Sequence, residues 1–95
     1  VTERFQHAIP NASVRRDIAL AVAAGVPVEQ LAAEFGISVS TVHSYAAEFQ
    51  GAQRVLAIID DHTRGAIIAG CRGGSRRRWE RQYGAEVVRQ LLGEA

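Results

Sequence analysis

The sequence has a single cysteine, Cys71, and no lysine at all. One thiol excludes an intramolecular disulfide and leaves a cysteine-based zinc site without ligands. His7, His43 and His62 are the only histidines, and their spacing fits no zinc pattern. No metal and no cofactor are therefore expected. No apolar run approaches the ~18–20 residues of a membrane helix, and Val1 to Pro10 mixes Glu3, Arg4, Gln6 and His7 with scattered apolar residues, unlike a signal peptide. The expected location is the cytoplasm, with no membrane partner and no small-molecule ligand. Internal repeats and low-complexity tracts are absent. So are a Ser/His/Asp order, a phosphate-cradling glycine loop and a reactive-cysteine setting; Gly73-Gly74-Ser75 reads as a turn, and Cys71 as a buried thiol. The expectation is a protein that is not an enzyme.

A chain of 95 residues buries one modest core. Its 47% hydrophobic and 22% charged shares are those of a globular protein, read here as one domain over 1–95. All eleven basic residues are arginine, and the net charge of +1 is unevenly spread. Residues 1–50 carry three arginines against five acids, giving −2, and residues 51–95 carry eight against five, giving +3. Arg72 and the run Arg76-Arg77-Arg78 concentrate that charge around Gly73-Gly74-Ser75.

Apolar spacing predicts three helices in the first half. "SVRRDIALAVAA" puts Val14, Ile18, Ala21 and Val22 on one stripe, with Ser13 as N-cap and Gly25 past the end. Pro27 separates it from "VEQLAAEF", whose Val28, Leu31, Ala32 and Phe35 share a face closed by Gly36. Ser38 caps a third helix with Val39, Val42, Tyr45, Ala46 and Phe49 inward. Beyond it, "RVLAIID" and "GAIIAGCR" are β-branched runs joined by "DHTR", which predicts a β-hairpin over 53–72. A helix there would leave Ile58 and Ile68 off the apolar stripe and carry Gly65 in its middle. Trp79, Tyr83, Val87, Val88, Leu91 and Leu92 then recur at intervals of about four, predicting one amphipathic helix over 75–93. The expected fold is mainly α: a three-helix head over 13–50, a hairpin, and a C-terminal helix.

Ala32 is small where two helices cross, Gly36 sits at the turn, and Ile37, Val42 and Tyr45 lock the second helix onto the first. In these features residues 14 to 50 resemble the helix-turn-helix of bacterial and phage DNA-binding proteins. That resemblance implies that helix 39–49 enters the major groove, with Ser40, Thr41, His43 and Ser44 at base edges and Ser38 at the backbone. The segment from Gly25 to Gln53 has no cation, so phosphate neutralisation must come from Arg15, Arg16, Arg54, Arg64, Arg72, Arg76, Arg77 and Arg78. With a hairpin after the reading helix, the order resembles a winged helix-turn-helix with "DDHTRG" as wing tip and Arg64 at the DNA. The stripe of Trp79, Tyr83, Val87, Val88, Leu91 and Leu92 is the candidate self-association face, since a homodimer on a two-fold operator would supply two half-site readers.

The function expected is a double-stranded DNA-binding transcriptional regulator, repressor-like, of the phage or mobile-element kind. Two alternatives accompany it. A small phage packaging subunit also begins with a helix-turn-helix and assembles through its C-terminal part. "LAIIDDHTRGAIIAG" resembles the strand-turn-strand of integrase-superfamily transposase cores, which implies a shortened transposase-derived DNA-binding protein; only about 30 residues follow its "IDDHTR" core, which is expected to be too few for that catalytic fold.

Overall fold

The computed structural model describes residues 9–94. Every regular element among them is an α-helix: α1 Ala12–Ala23, α2 Val28–Phe35, α3 Val39–Ile58, α4 Asp61–Arg72, α5 Arg76–Tyr83 and α6 Ala85–Leu91. The chain divides into two compact units, Val1–Phe49 and Gln50–Ala95.

In the first unit, α1 is capped two residues before the expected Ser13, by Asn11. Its Oδ1 accepts from the N–H groups of Ser13 and Val14 at 2.9 and 3.4 Å, and an asparagine oxygen serves there as well as a hydroxyl. The helix closes with the N–H groups of Gly25 and Val26 on the carbonyls of Val22 and Ala21. Gly36 ends α2 with φ 67°, a left-handed conformation that a side chain disfavours. The chain then re-enters helix within three residues. Ser38 caps α3, its Oγ accepting from the Thr41 N–H at 3.1 Å. Ile18, Leu31, Ala32, Val42 and Tyr45 form the core, with Val14, Ala21, Val22, Val28 and Ile37 packed around it. Val39 and Phe35, both expected inward, are exposed.

The second unit overturns the expected hairpin. Residues 53–58 continue α3, which runs unbroken for 20 residues, and 61–72 form α4. Among the described residues there is no strand, hence no wing. The polar "DHTR" is a helix start: Asp60 Oδ1 accepts from the Thr63 N–H at 2.7 Å, and the Asp60 carbonyl accepts from the Arg64 N–H at 2.9 Å. Preference of β-branched residues for strands depends on context, and a capping aspartate between two helices outweighs it. The price foreseen for a helix is visible: Ile58 is 81% exposed, and Gly65 lies inside α4. Ile67 of α4, in contrast, is fully buried, as are Val87 and Val88, and Ala52 is buried too.

The C-terminal helix is also not one helix. It breaks at Gly84 (φ 99°, ψ 147°), a conformation essentially confined to glycine, into α5 and α6. The break folds the apolar positions back, and α4, α5 and α6 pack on one another. Trp79 lies against Gly70 of α4, where no Cβ fits beside the indole. An integrase-like strand-turn-strand is excluded for the same segment, since Asp60 caps α4 and Asp61 opens it.

Candidate nucleic-acid interface

The turn at Gly36 and the Ser38 cap set the start of α3, and burial of Val42, Tyr45 and Ala46 fixes which face it turns outward. Ser38, Ser40, His43, Ser44 and Ala47 are exposed on that face and Thr41 is half-buried. A local network orders the hydroxyls. Ser38 Oγ lies 2.8 Å from Thr41 Oγ1 and 3.2 Å from Ser40 Oγ, while Ser44 Oγ donates to the Ser40 carbonyl at 3.0 Å. Ser44 therefore presents acceptor lone pairs outward. His43 is exposed, and its ring nitrogens are available for hydrogen bonds. These short side chains let a helix approach the floor of a groove and exchange hydrogen bonds with base edges.

Between Gly25 and Gln53 the chain carries no arginine, so cations near this face come from α1. Arg15 is buried in the first unit, donating to the carbonyls of Ile9 and Pro10 at 2.9 and 2.7 Å, with its Nε 3.8 Å from Glu48. Tyr45 Oη accepts from the Ile9 N–H at 3.0 Å, so both side chains tie residues 9 and 10 to the core. Arg15 is consequently engaged by the fold, where a phosphate contact was expected. Arg16, beside it, is half-buried.

The arginines of the second unit separate in the same way. Arg76 pairs with Glu80 at 2.9 Å and with Glu94 at 2.6 Å. First Glu94 and then Glu80 push its pKa up, so it stays charged but engaged. These carboxylates offset the cost of a cation in the first turn of α5. Arg64 gives its guanidinium to the Leu56 carbonyl instead of a wing contact. Arg54, Arg72, Arg77 and Arg78 remain exposed, Arg78 with its guanidinium carbon 5.3 Å from the Trp79 ring centroid. Arg81 is exposed as well. It was missed, although spacing of four from Arg77 and three from Arg78 places it on their helix face.

The expected self-association stripe is largely spent inside its own unit. Val87 and Val88 are fully buried, Trp79 and Tyr83 stack at 5.9 Å, and Leu91 and Leu92 are half-buried. A broken helix can fold its stripe inward, and that is what Gly84 allows. Among the described residues no group of His, Cys, Asp and Glu could hold a metal ion, and no helix is long and apolar enough to cross a membrane.

Residues 10–56 match the homeodomain-like domain family. The homeodomain-like segment contains α1, α2 and all but the last two residues of α3. The match supports a DNA-binding helix-turn-helix, with DNA as the partner. No curated protein and no solved structure matches the chain.

Proposed function

We propose that this protein is a sequence-specific regulator of transcription that reads double-stranded DNA with the first half of α3, as a homodimer. The observation that carries the reading is the exposed face of Ser40, His43 and Ser44, with Thr41 at its edge, on the third helix of a homeodomain-like segment. Ser40, Thr41, His43 and Ser44 contact base edges in the major groove, and Ser38 sits at the backbone. That face contributes no cation, so affinity comes from elsewhere. Arg72, Arg77, Arg78 and Arg81, all exposed, supply the charge. Arg15, Arg64 and Arg76 are left out, because each already gives its guanidinium to a protein carbonyl or carboxylate.

Selection of bound duplexes from a random pool at physiological salt tests the proposal. Enrichment of a palindrome of two short half-sites is the expected result. Binding without enrichment would overturn sequence-specific reading and turn the protein towards packaging or other sequence-independent roles on DNA. Absence of binding by the folded protein would remove DNA as the partner.

A further inference from the structure

Two unpartnered features have complementary chemistry. A cleft of about 270 Å³ opens between α1 and α2, floored by Ile18, Ala21 and Leu31, with Phe35 at one end and the acids Asp17 and Glu34 on its rim. Asp17, Glu34 and Phe35 are exposed, and Leu20, one turn along α1 from Asp17, is an exposed large apolar side chain too. Ligand pockets usually measure ~300–1,000 Å³, so the cleft is better matched to one or two side chains than to a bound metabolite. None of its lining residues belongs to α3, and DNA at α3 does not compete for the same side chains.

The second feature is the end of α3. Ile58 is the most exposed large apolar residue of the chain's described part, at 81%, and Arg54, one turn earlier on the same helix face, is exposed and without an ion-pair partner. An apolar knob beside a cation faces solvent, and an apolar cleft rimmed by two anions faces solvent elsewhere. The net charges of the two units have the same complementarity, −2 for residues 1–49 and +3 for residues 50–95.

We propose that Ile58 of one copy seats in the α1–α2 cleft of a second copy, with Arg54 against Glu34 and Asp17. This deepens the self-association in the proposed function, replacing the C-terminal stripe as its surface, and is independent of which DNA sequence α3 reads. Burial of Ile58 supplies apolar area, and the arginine on the acidic rim sets the partner's orientation.

The test is sedimentation equilibrium of the full chain without DNA, at low and high salt, with circular dichroism as a check of folding. Wild type should associate reversibly. Ile58→Glu and Glu34→Arg should each weaken association by about tenfold or more. An equimolar mixture of the two variants should regain association that neither has alone, because one intact knob meets one intact cleft. The double variant Arg54→Glu with Glu34→Arg should recover part of the loss through reversed charges. Association indifferent to both single variants, or a mixture that stays monomeric, overturns this surface while leaving a dimer formed elsewhere. A wild type that is monomeric throughout overturns the homodimer and this interface together, yet leaves DNA reading by α3 to be judged by the duplex selection.

Discussion

Gly70 and Gly65 lie in the same helix and differ in what surrounds them. An added Cβ at Gly65 meets nothing, whereas at Gly70 it would run into the Trp79 indole. Alanine is favoured over glycine inside a helix, so Gly65→Ala should stabilise the protein by about 0.5–1 kcal/mol. Gly70→Ala should reverse the sign and destabilise by about 1–3 kcal/mol, because the indole must move to admit the methyl group. Urea unfolding of the two variants reads the difference directly. Equal stabilisation by both would mean that Trp79 is not seated on α4. The arginines carry the same lesson: Arg15 and Arg16 are neighbours of one residue type, and burial of Arg15 against two carbonyls assigns it to the fold.

Helix ends account for most of the difference between the expected and observed elements. The break between α3 and α4 rests on Asp60, whose carboxyl is held below its usual value first by the Thr63 N–H and then by the Thr63 hydroxyl. A lowered folded-state pKa contributes stability above the unfolded-state value, and that contribution is lost as pH falls through the folded one. Asp60→Ala should therefore lower the melting temperature at neutral pH, and Asp60→Asn, still a good cap, should lower it less. The gap between wild type and Asp60→Asn should close as pH falls below the ordinary aspartate value of 3.8. At the tip of a flexible wing all three proteins would melt alike, at every pH. Gly84 has the corresponding role between α5 and α6, turning one long stripe into two short helices that close their own core.

Across the whole molecule, the reading face and the cations lie in different parts of the chain. The first half of α3 offers hydroxyls and an imidazole, and the exposed arginines of the described residues lie after Gln53. Replacing Arg72, Arg77 and Arg78 with alanine should weaken binding to every duplex and reduce the salt slope by about 0.9 per lost phosphate contact, or about 3 in all. Replacing Ser40, Thr41, His43 and Ser44 should instead erode the preference for the selected site and leave the slope unchanged. Titrations of specific and scrambled duplexes over a range of salt separate the two effects. A slope untouched by the arginine replacements would place those side chains at a protein interface.

Local chemistry placed the first three helices, though not the exposure of Phe35 and Val39 or the run of α3 on to Ile58. Apolar spacing, Pro27, Gly36 and the Ser38 hydroxyl act within one or two helical turns, so three helices and a turn could be read from residues 13 to 50, together with the polar face of α3. Residues 53–72 yield to no such reading, because "RVLAIID" and "GAIIAGCR" suit a strand or a buried helix equally well. What settled them is long-range: α4 packs on α6, Ile67 of the one and Val87 and Val88 of the other are fully buried, and Trp79 lies on Gly70. The engagement of each arginine was hidden for the same reason. Glu94 lies 18 residues from Arg76, and no periodicity along the chain announces a contact made by folding.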